Sequence, residues 1–439
     1  SSMTSHLLAR LPLPAVLSLG YASYILLTFL LLLLPWASRP ESDLSIIDHL
    51  FAASSVVSTT GLVTASTGSD YTWFGQAVTL AGFQMGGLGY MTLGSFVLLS
   101  AAGQVDSFRK SILQDALTLP SGASTNSFIK QVIVYTFVCE ALGWVVLSGR
   151  MLSLGREDWL WSGLFHSVSA FCTAGFSLYD DSFSEFRDDP FINATLSCLA
   201  LAGATGFIVV DDVRRSWTGG SVRMTLTTKI IISFTAASCL VGTALLFVSE
   251  EDSSVLAAFF QAMSATTTVG FSSVDIGSLG TASTTVIIVL MFMGASPAGT
   301  GGGLKSTSVA ALWGVVISNL RGRESVSLFG SAIPERRLRN AISYLASYLA
   351  LLAMATFVLS LLEPNIPFMD IFFEASSALG TVGLSRGITA EFSEAAKLAT
   401  VVVMFLGRVG PLTSFAVLGS VVLSDELSTE AQREEDVAV

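Results

Sequence analysis

The segment FAASSVVSTTG, residues Phe51 to Gly61, carries the spacing that organises the whole chain. It places a serine four residues, a threonine eight residues and a glycine ten residues after the phenylalanine. The same spacing recurs at Phe165, Ser169, Thr173 and Gly175, at Phe260, Ser264, Thr268 and Gly270, and at Phe373, Ser377, Thr381 and Gly383. A fifth match, at Phe292, Ser296, Thr300 and Gly302, is set aside, because Pro297 and Gly299 would break the half-helix that it needs. Four copies of one pattern predict four copies of one structural unit, each contributing an equivalent piece to a single site.

The composition indicates the class of protein. Of the 439 residues, 51% are hydrophobic and 13% are charged, and the mean hydropathy is +0.68. Soluble proteins carry about 25% charged residues, so an integral membrane protein is predicted. The net charge of -11 argues against a nucleic-acid partner. The cysteines and histidines lack metal-ligand and haem spacing, and no nucleophile motif is present, so neither a cofactor nor an enzymatic activity is expected in this chain.

Each motif lies between two long apolar segments, which predicts an all-α integral membrane protein. The ten motif residues make about 15 Å of helix, half a membrane, and must be re-entrant. We predict four repeats of helix, re-entrant pore helix, filter loop and helix around a central pore, with eight spanning helices and pseudo-fourfold symmetry. The repeats cover residues 11–104, 126–214, 224–320 and 336–424, followed by an acidic cytoplasmic tail at 425–439. The predicted spanning helices are Pro12–Trp36, Phe74–Ala101, Phe128–Leu147, Phe191–Val210, Ile230–Val248, Thr284–Ile317, Ala341–Leu362 and Lys397–Leu423.

The distribution of charge predicts the orientation. Most Lys and Arg residues fall at the N-terminus and between repeats, so that side is cytoplasmic and both termini lie there. The opposite loops are acidic, at Asp43, Asp48, Asp180 to Asp189, Glu250 to Asp252, Glu391 and Glu394. These loops are either ordinary solvated loops or a negative vestibule that concentrates cations.

The four motifs predict a cation filter. A half-helix that enters from outside points its negative C-terminal end and free carbonyls at the membrane centre. Carbonyl rings from the loops that follow can replace an ion's hydration shell, and glycine permits the required backbone. The motif Phe and Ser residues are expected to pack behind the filter. The predicted ion-binding residues are Ser58, Thr59, Thr60, Gly61, Cys172, Thr173, Ala174, Gly175, Thr267, Thr268, Val269, Gly270, Gly380, Thr381, Val382 and Gly383.

The run GASPAGTGGGLKS, Gly294 to Ser306, interrupts the second helix of the third repeat. Its five glycines and one proline disfavour a helix, and unwound backbone at membrane depth must line a cavity or be buried in protein. It lacks phosphate-loop spacing because Leu304 separates Gly303 from Lys305. The run is either a flexible plug below the filter or a static kink. The predicted gating residues in it are Gly294, Ala295, Ser296, Pro297, Ala298, Gly299, Thr300, Gly301, Gly302 and Gly303.

Two basic residues complete the predicted gate. Arg408 lies inside the last helix, where an unpaired charge costs at least ~2.5–3.5 kcal/mol. It is expected to face the pore below the filter as a barrier to cations, or to bind carbonyls of the interrupted segment, or both. Lys305 is placed at the cytoplasmic end of the broken helix.

These motifs and four further runs resemble the Trk/Ktr/HKT potassium transporter superfamily, and most closely its KtrB branch. The further runs are QMGGLG (84–89), AFCTAGF (170–176), GASPAGTGGG (294–303) and GRVGPLT (407–413). The resemblance covers roughly Pro12 to Leu423, and the absence of an extra N-terminal helix pair favours that branch. It implies potassium uptake across a bacterial inner membrane, gating by the 294–303 loop, a homodimer, and a KtrA-like cytosolic ring of RCK subunits. It also implies sodium stimulation, with any nucleotide acting through that partner.

Two functions remain open from the sequence. The first is a potassium-conducting subunit that works as a gated pore. The alternative is a secondary transporter that obligatorily couples potassium to sodium or protons. Such carriers place carboxylates at the membrane midplane, and Glu374 is the only carboxylate predicted within a half-helix. The single glycine in each loop predicts weaker selectivity for potassium over sodium than in dedicated channels.

Overall fold

The computed structural model describes residues 13–89, 125–218, 224–297, 299–323 and 325–410. Four predictions lie outside these residues: the end of the helix predicted to reach Ala101, the part of the last helix after residue 410, the tail at 425–439, and the gating residue Ala298. We refer to residues 13–89, 125–218, 224–320 and 335–410 as the first to fourth quarters, each of which contains one motif.

The described chain is predominantly helical, with a single short β-hairpin among the described residues. The first quarter has α1 (Leu13–Leu32), α2 (Ile46–Val57) and α3 (Trp73–Gln84), and a π-helical turn follows at Met85–Gly89. The second has α4 (Thr125–Ser153), α5 (Trp159–Phe171), α6 (Pro190–Thr205) and α7 (Phe207–Thr218). The third has α8 (Leu226–Ser249), α9 (Val255–Thr267), α10 (Thr281–Phe292) and α11 (Ser306–Leu320). An antiparallel hairpin of β1 (Ser327–Leu328) and β2 (Ser331–Ala332) leads to α12 (Glu335–Leu362), α13 (Phe368–Gly380) and α14 (Glu394–Val409).

Side-chain caps start many of these helices. Ser45 forms a capping box with Asp48 at the start of α2, satisfying backbone donors that the first helical turn leaves free. Thr72, Thr225, Ser254 and Ser393 cap other helices by accepting from the backbone N–H three residues further on, and Asp189 followed by Pro190 starts α6. Asp48 was predicted to lie in an outer loop, either an ordinary solvated loop or part of a negative vestibule. That placement was wrong, because its carboxylate caps a helix and is only 7% exposed.

The second helix of the second quarter was predicted to run unbroken from Phe191 to Val210, and this prediction is wrong. The α6 helix stops at Thr205, Gly206 takes a φ of 83°, and the chain bends by 91° into α7. The carbonyls of Gly203 and Ala204 accept hydrogen bonds from Thr300 N (3.0 Å) and Ser296 N (3.2 Å). The 294–303 segment therefore supplies donors to two of the carbonyls that the end of α6 leaves without an intrahelical partner.

Three helices in the described parts of the chain are long and apolar enough to cross a membrane without interruption. They are Lys130–Ser153, Leu226–Ser249 and Glu335–Leu362, and the bent pair of α6 and α7 could form a fourth span. The third-quarter helix is interrupted as predicted, since α10 ends at Phe292 and α11 begins at Ser306. The four motif helices have 12 or 13 residues and are therefore only about 18–20 Å long.

The motif helices pack in a closed cycle. Each one contacts the outgoing helix of the preceding quarter: α5 packs on α3, α9 on α6 and α13 on α10. The cycle closes because α2 packs on α14, the last described helix of the chain. The four motif phenylalanines, Phe51, Phe165, Phe260 and Phe373, are all fully buried within these contacts. The centre of the molecule is therefore surrounded by four short helices.

A buried ion pair joins the ends of this cycle. Lys397 Nζ on α14 lies 2.7 Å from Asp48 Oδ1 on α2, and both side chains are nearly buried. We expect Lys397→Met to lower the melting temperature in detergent by about 3–5 °C, because removing one partner of a buried pair costs ~3–5 kcal/mol. Lys397→Arg serves as the charge-preserving control. If Asp48→Asn and Lys397→Met destabilise additively in the double variant, the pair does not couple the two helices.

Candidate functional site

The four motif loops share one backbone conformation directly after their helices. In each loop the motif threonine and the motif glycine have positive φ, and the residue between them does not. The threonine angles are 51° at Thr59, 50° at Thr173, 60° at Thr268 and 50° at Thr381. Positive φ is uncommon for a threonine, so its occurrence in all four loops indicates a shared structural demand. Alternating the sign of φ turns successive carbonyls toward one side of the backbone, which is the arrangement of a carbonyl-lined axis.

The motif glycines bring the four loops into contact as a ring. A Cβ atom at Gly61 would collide with the carbonyl of Ala174, and one at Gly175 would collide with that of Val269. A Cβ at Gly270 would meet Val382 O, and one at Gly383 would meet Thr60 O. Each glycine thus packs on the loop of the next quarter, and the fourth packs on the first. The ring can close only because these positions lack side chains.

The structure brings all sixteen sequence-predicted filter residues together in this ring. The three residues before each glycine are buried, and the glycine itself is half-buried. Thr267 and Gly380 form the last residues of α9 and α13, whereas Ser58 and Cys172 directly follow α2 and α5. The helices therefore end within or at the edge of the predicted filter segments.

The motif serines hold the filter loops from behind, in two different ways. Ser55 Oγ accepts from Gly61 N (3.1 Å), and Ser377 Oγ accepts from Gly383 N (3.0 Å). In the other two quarters the serine donates instead, Ser169 Oγ to Phe176 O (2.8 Å) and Ser264 Oγ to Phe271 O (2.6 Å). The loops are thus anchored at each motif glycine or at the residue after it.

A cavity of about 480 Å³ opens on the side of this ring that was predicted to face outward. All four motif glycines line it, together with Asp180, Asp181 and Asp275. Asp180 accepts hydrogen bonds from Ser66 and Ser69 of the first quarter, and these bonds lower the pKa of its carboxyl group. Asp180 is therefore negatively charged at neutral pH and supports the vestibule reading of the outer loops. The other acidic residues of that prediction do not line this cavity.

The interrupted segment lies against the motif threonines of the ring. Thr300 Oγ1 is 3.1 Å from Thr173 Oγ1, and Gly302 N donates to Thr268 Oγ1 at 3.0 Å. A Cβ at Gly302 would also collide with Thr381 Oγ1. The segment consequently touches the motif threonines of three quarters. Its own turn is closed by Ala295 N donating to Gly302 O (3.0 Å).

Both predicted basic residues contact this segment. Arg408 Nη1 donates to Thr300 O (2.7 Å), and its Nη2 donates to Gly86 O (2.6 Å) in the π-helical turn. Lys305 Nζ donates to Gly301 O at 3.0 Å. Arg408 therefore joins the segment to the first quarter. Of the two roles expected for Arg408, the structure shows the binding of a carbonyl of the interrupted segment.

Sequence reasoning missed one buried carboxylate near the ring. Glu140, in the middle of α4, is 4% exposed and accepts from Gln84 Nε2 at 3.1 Å. Its other oxygen is 3.8 Å from the filter residue Cys172 Sγ, which also lies 3.1 Å from Gln84 Oε1. The signal was available, because a lone carboxylate within a predicted spanning helix marks a functional position.

The chain is similar to cation transport proteins along nearly its whole length. The TrkH family model, described as a cation transport protein, matches residues 22–235 and 216–429. The Ktr system potassium uptake protein B of Vibrio alginolyticus is 35% identical over 412 residues, which cover 91% of this chain and 90% of that protein. The protein of the same description from Bacillus subtilis is 32% identical and covers 91% of each chain.

Two further comparisons concern the ions that a relative takes up and the fold. The potassium/sodium uptake protein NtpJ of Enterococcus hirae is 29% identical over 425 residues, covering 94% of each chain. The crystal structure of the potassium transporter TrkH from Vibrio parahaemolyticus superimposes with a TM-score of 0.70 at 19% identity. That comparison covers 91% of this chain and 84% of the other, and it shows a common fold.

Proposed function

Because this chain belongs to the TrkH family of cation transport proteins, we propose that it is the potassium-conducting membrane subunit of a Ktr-type uptake system. Its relatives are named as potassium uptake proteins, which are transporters and not enzymes. The substrate is potassium, which passes through the protein without chemical change. Such a function requires no cofactor in this chain.

The observation that carries the proposal is the closed ring of four loops with alternating φ. In the proposed pore, carbonyls of the sixteen filter residues replace the hydration shell of a potassium ion. The C-terminal ends of α2, α5, α9 and α13 add partial negative charge at the same place. The proposed pore has eight spanning helices and pseudo-fourfold symmetry, which agrees with the cyclic packing of the motif helices.

The proposed gate is the 294–303 segment together with Arg408 and Lys305. The segment contacts filter threonines of three quarters, so an ion leaving the filter inward would meet it first. The guanidinium of Arg408 lies on Thr300 O and adds a fixed positive charge on the inner side of the ring. Opening requires this segment to move away from the threonines.

The proposed setting is a bacterial inner membrane with both termini in the cytoplasm. The description of relatives as parts of a Ktr system supports a partner subunit. We place a homodimer of this chain on a KtrA-like cytosolic ring of RCK subunits, through which a nucleotide would act. Sodium is proposed as a stimulating ion, in agreement with the potassium/sodium description of one relative.

Growth of a bacterium that lacks its own potassium uptake systems tests the function. Expression of this chain with a Ktr-type partner should restore growth at low external potassium, and sodium should strengthen the effect. The empty vector is the control. No restoration by a chain that is present in the membrane fraction would contradict the proposal.

Glu140 supports the alternative, a secondary transporter, because buried intramembrane carboxylates commonly carry coupled protons or sodium. Under the proposed pore mechanism, Glu140→Gln should keep potassium flux within about twofold, since glutamine preserves the shape and can still accept from Gln84. The measurement is potassium uptake into proteoliposomes under imposed sodium or proton gradients, with Glu335→Gln as an exposed control. Gradient-driven uptake that disappears in Glu140→Gln would favour obligatory coupling.

A further inference from the structure

The residue that follows each motif phenylalanine differs between quarters: Ala52, His166, Gln261 and Glu374. The last three are at most 3% exposed. In each of these three quarters the side chain accepts a hydrogen bond from the backbone N–H twelve residues further along the chain. The donors are Leu178 N, Ser273 N and Arg386 N.

The geometry in the second quarter fixes the state of the histidine. Leu178 N donates to His166 Nε2 at 3.1 Å, so this nitrogen must be the acceptor. The ring is therefore neutral with its proton on Nδ1, which lies 3.1 Å from Ser162 Oγ. Tyr179 stacks on the ring with 5.0 Å between centroids. The imidazole is held as a fixed acceptor.

In the third and fourth quarters, an amide and a carboxylate supply the acceptor for the equivalent backbone N–H group. Gln261 Oε1 accepts from Ser273 N at 2.9 Å. Glu374 Oε1 accepts from Arg386 N at 2.9 Å, and its Oε2 accepts from Thr389 Oγ1 at 2.9 Å. Both oxygens of this buried carboxylate are thus engaged by protein donors, which describes a scaffold and not an ion-coupling site.

The backbone N–H groups that donate in these contacts lie three residues after the motif glycines. The motif serine anchors each loop at the glycine or the residue after it, and the second contact anchors the loop as it leaves the ring. The proposed filter carbonyls lie between the end of each motif helix and these anchors, so they cannot relax toward a smaller ion without straining a buried hydrogen bond. Ala52 cannot accept a hydrogen bond, so the first quarter lacks this second anchor.

We propose that His166, Gln261 and Glu374 are positioning residues that hold the outgoing ends of three filter loops and thereby set the preference for potassium over sodium. This inference rests on the proposed function, because it assigns these residues a role in the selectivity of that filter.

The experiment compares acceptor-free and acceptor-keeping variants in proteoliposomes under a potassium/sodium gradient. Gln261→Met and Glu374→Met should each lower the potassium-to-sodium permeability ratio by about three- to tenfold, because each leaves a backbone donor without its buried acceptor. Glu374→Gln keeps an acceptor and should stay within about twofold of wild type. Ser376→Ala is the matched control, since this 1% exposed side chain bonds only to Phe372 O of its own helix.

The outcomes separate this inference from the proposed function. Unchanged potassium-to-sodium permeability ratios in Gln261→Met and Glu374→Met would overturn the positioning role. If Glu374→Met fails to assemble, the ratio of Gln261→Met alone tests this role. A ratio in Glu374→Gln as low as in Glu374→Met would also overturn it, because charge and not hydrogen bonding would then be decisive. If wild-type protein shows no preference for potassium, the proposed function itself fails.

Discussion

Gly270→Ser is expected to lower the potassium-to-sodium permeability ratio by at least about tenfold. The position has a φ of 81°, where a side chain costs roughly 1–3 kcal/mol. A Cβ atom would also collide with the carbonyl of Val382 in the next loop. Because that carbonyl belongs to the ring, the strain is relieved only by moving a predicted ion ligand.

The measurement for Gly270→Ser is the zero-current potential of proteoliposomes with potassium on one side and sodium on the other. Gly149→Ser is the matched control, because a Cβ on that exposed helical glycine meets no atom within 4 Å. Substitution to serine at position 149 should leave the potassium-to-sodium permeability ratio unchanged. A wild-type ratio in a well-assembled Gly270→Ser variant would show that the ring is not the filter.

Removal of Ala298 to Gly302 is expected to raise potassium flux by about tenfold, the effect of lowering a barrier by ~1.4 kcal/mol. The deletion takes away the contacts of Thr300 and Gly302 with the filter threonines. It also takes away the carbonyl on which Arg408 lies. The flux is measured as potassium efflux from loaded proteoliposomes at equal protein content.

Two substitutions at Arg408 divide the electrostatic from the structural contribution. Arg408→Lys keeps the positive charge but loses the geometry that joins Thr300 O to Gly86 O. Arg408→Gln removes the charge and keeps a donor for Thr300 O. If charge limits conduction, only the Arg408→Gln variant should show raised potassium flux.

For the deletion of Ala298 to Gly302, unchanged or lower potassium flux in an assembled variant would contradict the gating role of the segment.

The four loops that form the ring could be recognised in the sequence because each loop is a local feature of the chain. Each filter loop follows its own motif helix, and the spacing from Phe51 to Gly61 already contains the helix, the anchoring serine and the glycine. The interruption after Phe292 was likewise visible, since glycine and proline act on the backbone wherever they stand. Local conformational preference was sufficient in both cases.

Features that depend on other quarters were not predictable in the same way. The break after Thr205 depends on hydrogen bonds from Ser296 and Thr300, which are about 90 residues away. The partner of Asp48 is Lys397, at the opposite end of the described chain. The hydrogen bonds of His166, Gln261 and Glu374 depend on the path of the chain after each motif glycine, which the motif spacing does not specify.

The most direct test of a potassium filter built from four loops is the reversal potential of purified wild-type protein in liposomes. Potassium inside and sodium outside should give a potential set mainly by potassium, and exchanging the two ions should reverse its sign. The account predicts this result without any imposed proton gradient. A potential of zero under both gradients, with measurable ion flux, would contradict it.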